Sequence, residues 1–478
     1  MHRHLWWMAA LLSVGCVELV GRTPTRDGGV DGSDARPDAP PDAPDGAPHP
    51  LPQDVAPIPG CALAPSARPG QELTARANPL MSALTYSFHV KSMVVDSRGG
   101  VVVFGGATSC GRPDNFDAAA IRFGPDGELD TSFGVGGRLC LNTTLEGENQ
   151  DETLLAAAVD GDGRLVFVGL AESRRTMTRR GLVVRTSPDG TLDPSFYGLG
   201  WRHIYEAQSP IQSANMALWS VLIDGTRIVA AGSDASPFSL PSLGVVVALD
   251  ASGDLDRTFN RRGVYFDNAR FFYGVARRTD GYIVSGTERA TPRVSLRALG
   301  LDGSPISSFG DRGLAVHALP QDAFAGDLLV GDDGGVFVVR ALITAVGSYQ
   351  SAPAEVVHFL PNGDTDLAFG TQGVFATGGL WYYSYSHGHH LARHCDGRVV
   401  FTTQAAGTSP PIQVHRFTPE GRADVTFGSG GVATLRGGAR SSVSIFPVGI
   451  AVAPETAEVF VAGGNTNNST VEVRVAAP

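Results

Sequence analysis

The feature that most constrains this chain is that it repeats itself. One element returns six times: IRFGPDGELDTSFGVGGRL at 121–139, VVRTSPDGTLDPSFYGLGW at 183–201, VALDASGDLDRTFNRRGVY at 247–265, LRALGLDGSPISSFGDRGL at 296–314, VHFLPNGDTDLAFGTQGVF at 357–375 and VHRFTPEGRADVTFGSGGV at 414–432. Phe133, Phe196, Phe259, Phe309, Phe369 and Phe427 mark its register, 50 to 63 residues apart. A second element precedes each copy: an apolar run, an Asp/Gly turn, and an apolar run ending in small residues. It stands at 92–106, 156–170, 219–233, 275–287, 328–340, 391–403 and 448–464, seven times in all. Recurrence at this period marks a fold in which one supersecondary unit is stacked or arranged in a ring.

The unit reads as β. Short runs of Val, Phe and Ala around Asp-Gly are a hairpin signal, because glycine supplies the positive φ that a tight turn needs. The runs suit strands buried on both faces. The Pro-Asp-Gly segment reads as an ordered turn capped by Asp, with the Phe plugging the gap between neighbouring sheets. Each unit then offers four strands. A lone four-stranded sheet cannot bury both faces, whereas seven in a ring can, and closing the ring removes exposed edges. The expected fold is an all-β, seven-bladed β-propeller of four-stranded blades over residues 69–478. The seventh unit ends after three strands, so residues 70–76 are expected to supply the fourth by pairing with 470–476, closing the last blade with an N-terminal strand.

The motif PDGxLDxSFGxxG, seen at 125–137, resembles the delta-60 repeat of myxobacterial and related deltaproteobacterial proteins, over roughly residues 85 to 478. Two copies depart from it: 296–314 has Pro305-Ile306 where Leu-Asp is expected, and 183–201 has Trp201 in place of a small aliphatic residue. The resemblance implies the repeat unit and its exported setting, and no activity goes with it as a class.

Before the repeats the chain reads as an address and a tether. Residues 1–16 look like a signal peptide, with Arg3 ahead of an apolar run, Leu5 to Gly15, too short to span a bilayer. The run ends Leu12-Ser13-Val14-Gly15-Cys16 and resembles a lipobox, which implies lipidation of Cys16; Ser13 departs from the usual leucine. Residues 17–68 are rich in Asp, Pro and Ala, without apolar periodicity, and are expected to form a disordered, extended spacer. The expected location is the outer membrane or cell surface, with the membrane touched only through the anchor. In that oxidising setting Cys61, Cys110, Cys140 and Cys395 permit two disulfides, and the expected pairs are Cys110–Cys140, within one unit, and Cys61–Cys395.

Net charge is −11, which argues against nucleic acid as a partner. Lys91 is the sole lysine among 37 basic residues. The Asp-Gly turns, such as 160–163 and 332–334, resemble fragments of calcium loops without the closing carboxylate; they read as turns, with bound calcium as the alternative. The segment LWYYSYSHGHHLARHC at 380–395 replaces the ordinary link between units. Its aromatics Trp381, Tyr382, Tyr383 and Tyr385, beside His387, His389 and His390, make the best candidate surface for a sugar or peptide. His387, His389, His390 and His394 are the weaker candidates for a metal site. The competing reading is that the aromatics fill space between blades. No serine elbow, paired-carboxylate or phosphate-loop motif occurs. The expected function is therefore a surface-tethered module binding a protein or glycan, without a cofactor. The alternatives are a channel enzyme (a lyase, lactonase or glycosidase) or a purely structural envelope lipoprotein.

Overall fold

The computed structural model describes residues 88–476, apart from 109, 111–115, 125–127, 146–147, 205–214, 235–242, 289–291, 319–321, 344–351, 382–389, 395, 406–409, 436–444, 453–458 and 466–470. All of these belong to one compact unit, Pro57–Pro478. The described residues hold strands and turns and no helix.

Among the described residues seven antiparallel groups of strands, sheets 1 to 7, follow one another along the chain, sheets 5 and 6 being continuous. Sheet 1 is Phe88–Val95, Val101–Thr108, Phe116–Phe123 and Arg138–Leu141. Sheet 2 is Glu148–Val159, Leu165–Ser173, Arg179–Thr186 and Trp201–Ile204, with Thr144–Leu145 added at its inner edge. Sheet 3 is Met216–Asp224, Arg227–Asp234, Leu243–Leu249 and Val264–Asp267. Sheet 4 is Arg270–Arg278, Gly281–Glu288, Val294–Gly300 and Leu314–Val316. Sheet 5 is Ala323–Val330, Val336–Leu342, Ala352–Phe359 and Val374–Trp381. Sheet 6 is Leu391–Arg393, Val399–Gln404, Ile412–Phe417 and Val432–Leu435, joined to sheet 5 through the pair Leu380–Gln404. Sheet 7 is Ile445–Val452, Val459–Asn465 and Val471–Ala476. Strands pair in chain order within each sheet. The first strands touch in succession, and that of sheet 7 returns to that of sheet 1. The fold is a β-propeller with first strands innermost. Apolar cores fill the gaps between sheets, and one of them joins Phe88, Val90 and Met93 of sheet 1 to Val448, Phe460 and Ala462 of sheet 7. Residues 70–76, expected to complete sheet 7, lie outside the described residues.

Two local devices repeat. The first is a β-bulge in the first strand of every sheet but the sixth, leaving one or two residues out of register with the second strand. It pushes a carbonyl of the first strand towards its neighbour. A Cβ built on Gly105 would stand 1.9 Å from the His89 carbonyl oxygen, and one on Gly169 would stand 1.9 Å from that of Thr153. The small residues that end each hairpin motif are therefore required by the bulge.

The second device joins each of sheets 1 to 5 to the next. The Phe of the long turn is at most 1 % exposed in all six copies. The residue after it donates its backbone N–H to the carbonyl of the next unit's Gly-containing turn. These bonds are Gly134 to Asp189 (2.6 Å), Tyr197 to Ser252 (2.7 Å), Asn260 to Asp302 (2.6 Å), Gly310 to Asn362 (2.7 Å) and Gly370 to Glu420 (2.8 Å). The turn glycine lies against the ring: a Cβ on Gly190 would come within 2.7 Å of Phe133, and its φ of 80° is one that glycine tolerates best. An arginine reinforces the hook. Arg122 lies over Phe133, pairs with Asp130 and donates to the Pro188 carbonyl at 2.6 Å; Arg185 does the same with Phe196, Asp193 and Ala251 at 2.7 Å. Pro305, in the divergent copy, still forms the bridge to Leu299 that Leu192 forms to Thr186.

Candidate functional site

The segment that was the best candidate to bind a ligand is, where described, interior. Trp381 is 6 % exposed and lies over Gly326, where a Cβ would meet the indole at 2.4 Å. Its Nε1–H donates to His390 Nε2 at 3.1 Å. That fixes the proton on His390 Nδ1, which donates to Thr402 Oγ1 at 3.2 Å. Asp327 Oδ2 accepts the backbone N–H groups of His390 and Leu391 at 3.0 and 3.2 Å. His394 is buried with neither ring nitrogen paired, and burial, with the nearby Arg416, holds its pKa down at about 4. Trp381 and His390 are thus core groups and not a binding surface, because this stretch enters the innermost strand of sheet 6. Tyr382, Tyr383, Tyr385, His387 and His389 lie outside the described residues, as do Cys16, Cys61 and Cys395. Among the described residues no three His, Cys, Asp or Glu side chains converge as a metal site. The turn carboxylates are engaged locally: Asp160 Oδ1 accepts the N–H groups of Asp162 and Arg164 at 3.0 and 2.9 Å. Cys110 and Cys140 form a disulfide across sheet 1, with Cα atoms 5.6 Å apart.

A polar cleft opens where sheet 3 hands over to sheet 4. Only Asn268 and Ala269 link Asp267, which ends one sheet, to Arg270, which begins the next. The Ala269 N–H donates to Asp267 Oδ1 at 3.0 Å, an Asx turn that tightens the link. Arg270 reaches both Asp267 oxygens at 3.3 Å and Glu288 Oε1 at 2.9 Å. Arg297 donates to Asp267 Oδ2 at 3.1 Å. Leu243, Tyr265, Phe266 and Asn268 complete the walls of a volume of about 380 Å³. The Nε–H groups of Arg270 and Arg297 are buried without a partner. Burial, opposed by Arg297, pushes the Tyr265 phenol up from its ordinary range, so it stays a neutral donor and acceptor. The sequence signal that could have found this site is the shortness of the Asp267–Arg270 link beside the longer links elsewhere.

A second polar cluster lies between sheets 1 and 2, at the same kind of handover. Glu152 is fully buried. Its Oε1 accepts the Thr143 N–H at 2.8 Å and the Thr143 hydroxyl at 2.5 Å, and Oε2 has no partner. With its hydroxyl proton given to Glu152, Thr143 Oγ1 accepts from His203 Nε2 at 3.0 Å. Burial, with the charges of Asp117 and Asp151, raises the Glu152 pKa to about 8; burial, with Arg180, lowers that of His203 to about 4. Both ends of this relay are therefore neutral at pH 7.

No family model and no curated protein matches this chain. Solved structures similar to it include the β-propeller domain of the Trilobed protease of Pyrococcus furiosus, at 9 % identity over 81 % of this chain and 93 % of that one, with a TM-score of 0.42. The C-terminal WD40 domain of Sif2 is 11 % identical over 85 % and 99 % of the two chains, with a TM-score of 0.36. An α-L-arabinofuranosidase of Fusarium graminearum is 9 % identical over 85 % and 98 %, with a TM-score of 0.40. These likenesses carry nothing about ligand or chemistry.

Proposed function

We propose that this chain is a non-enzymatic binding module, a β-propeller held at the bacterial surface by a lipid on Cys16 and the spacer of residues 17–68, and that it captures a glycan in the cleft between sheets 3 and 4. The cleft is the observation that carries the reading. Its groups are fixed in place by one another: Asp267 holds both arginines, and Glu288 holds Arg270 from the other side. Sugar hydroxyls present donors and acceptors side by side, and Asp267, Arg297, Asn268 and the Tyr265 phenol offer both. The rings of Tyr265 and Phe266 add flat apolar surface.

The test is a glycan array probed with the full chain, followed by titration of any hit into Arg297→Met and Tyr265→Phe. Loss of an Arg contact should weaken binding at least about tenfold, and loss of the phenol hydroxyl several-fold, with the β circular-dichroism spectrum of both variants that of the wild type. Equal binding by wild type and both variants, or no glycan retained at all, would remove the cleft from consideration.

A further inference from the structure

The six long turns lie at the end of the propeller opposite the handovers between sheets, because each joins a third strand to a fourth. Aligned on their phenylalanines, the turn of sheet 3 alone carries Arg257, Arg261 and Arg262 together. The other turns hold Thr, Pro, Ser, Leu and Val at the first of these positions, and Val, Gly, Asp, Thr and Ser at the second. At the third they hold Gly, Leu, Arg, Gln and Gly, that arginine being Arg312. Arg261 has a φ of 57°, where the matching residue of sheet 2 is Gly198, at 73°. An arginine held in a conformation that glycine adopts more easily is kept there against backbone strain.

All three arginines are exposed, and none of their side chains makes a hydrogen bond or ion pair. The carboxylates around them are engaged within the fold. Asp250 Oδ1 accepts the N–H groups of Ser252 and Asp254 at 2.9 and 3.0 Å, and Asp302 Oδ1 that of Ser304 at 2.9 Å. Asp254 pairs with Arg202 at 3.2 Å, Asp256 with Arg227 at 2.7 Å and Asp311 with Arg312 at 3.3 Å. The turn thus presents three guanidinium groups with all donors open, among carboxylates already fixed in place. Apolar surface adjoins them. Arg227 pairs with Asp256, the residue before Arg257, and also donates to the Leu301 carbonyl at 2.7 Å. The Asn260 N–H, one residue before Arg261, donates to the carbonyl of Asp302, one residue after Leu301. Tyr197 donates its N–H to the Ser252 carbonyl at 2.7 Å, near the start of the same turn. Leu301, Tyr197 and Leu199 are 45 %, 44 % and 55 % exposed.

We infer that this patch is a docking surface for another protein, and that it receives a segment in which separate carboxylates flank a large apolar side chain. Guanidinium groups bind carboxylates in a two-pronged geometry, and arginine and tyrosine are residues that interfaces favour over the rest of a protein surface. A uniformly anionic polymer or bilayer fits worse. Asp250, Asp254, Asp302 and Asp311 stand among the arginines, and the chain as a whole carries a charge of −11. Only a partner that places its charges one at a time meets the guanidinium groups and avoids these carboxylates. The patch lies at the other end of the sheets from the cleft between sheets 3 and 4 and uses none of its residues, so either site can fail without the other.

The test is selection of phage-displayed random dodecapeptides on the full chain, with counter-selection on the triple variant Arg257→Ser, Arg261→Ser, Arg262→Ser. Selection should enrich sequences with Asp or Glu on both sides of a Leu, Phe or Trp. A synthetic peptide of the enriched sequence should bind the triple variant at least about tenfold more weakly, and Leu301→Ala several-fold more weakly. Added salt should weaken its binding to the wild type. Arg261→Gly suits the left-handed backbone, so it should keep the wild-type circular-dichroism spectrum and still lose peptide affinity, which separates a binding role from a structural one. Dextran sulfate and phosphatidylglycerol vesicles are the rival probes. No enrichment over an unrelated protein, equal peptide affinity in the triple variant, or retention of only a rival probe through these arginines would overturn the inference. If the triple variant fails to fold, Arg262→Ser alone, exposed and outside the left-handed region, decides by the same comparison.

Discussion

Replacing Glu152 by glutamine should make the protein more stable, and by an amount that depends on pH in one direction only. The folded state holds the Glu152 proton to about pH 8, against an ordinary value of 4.5. Below pH 4.5 the carboxyl is neutral in both folded and unfolded chains, and the shift contributes nothing. Above it the unfolded chain releases the proton while the folded chain keeps it, so stability falls as pH rises and levels off above pH 8. The full difference is on the order of 5 kcal/mol, and at pH 7 it is roughly 3 kcal/mol. Glutamine keeps the acceptor for the Thr143 N–H and hydroxyl and cannot ionise. His203 titrates identically in both proteins and cancels in their difference. Urea melts of wild type and Glu152→Gln should therefore coincide near pH 4.5 and separate progressively to pH 8.5, with the variant the more stable. A variant that is less stable at pH 8.5, or a difference that does not change with pH, would refute a protonated Glu152.

Three further outcomes follow from the repeat. In sheet 1 Asp96 accepts the N–H groups of Arg98 and Gly100 and pairs with Arg122 at 3.3 Å; in sheet 6 its place is taken by the unpaired His394. His394→Asp should stabilise by about 1 kcal/mol at pH 7.5. The gain should be larger at pH 5, because a histidine held at about 4 loses stability as pH falls below 6.5; a lower melting temperature at both pH values would sink this. Gly169→Ala drives a Cβ to 1.9 Å from a backbone oxygen and should destabilise by roughly 3 kcal/mol or more, whereas Gly161→Ala, with nothing within 4 Å, should stay within about 0.5 kcal/mol in the same melts. Opening Cys110–Cys140, which closes a separation of 30 residues, by the double serine variant should lower stability by about 3–4 kcal/mol; an unchanged urea midpoint would contradict a formed disulfide.

The repeat made the unit and its strands readable, because hairpin turns and short continuous apolar runs are local properties. The plugging role of Phe133 and its five counterparts was also legible, since a large apolar side chain fixed in register within a polar turn has few places to go. The bulge was visible only as its consequence, the small residues at Gly105 and Gly169, because register between strands is not written in either strand alone. The hook between sheets was not legible, because it is a backbone bond between residues some 55 positions apart, such as Gly134 and Asp189. The cleft rests on Asp267, Arg270 and Arg297, ordinary residues that only the two-residue link and the neighbouring strand bring together. Trp381 and His390 were readable both as a surface and as filling between blades, because composition alone does not distinguish an aromatic cluster that binds a guest from one that binds its own Gly326 and Thr402.

The hook has a bearing on how such a chain can change over generations. Its bond runs from one backbone amide to one backbone carbonyl, and the accepting residues, Asp189, Ser252, Asp302, Asn362 and Glu420, take part through the main chain whatever side chain they carry. Every unit from the second to the fifth carries both the donor for its successor and the acceptor for its predecessor. A duplicated unit would arrive with both halves of its joints already present, and substitutions on its surface would leave those joints untouched. Loops at the handover between sheets are then free to diverge copy by copy, which is how one unit can keep the link Asn268–Ala269 while another carries the long histidine-rich insertion.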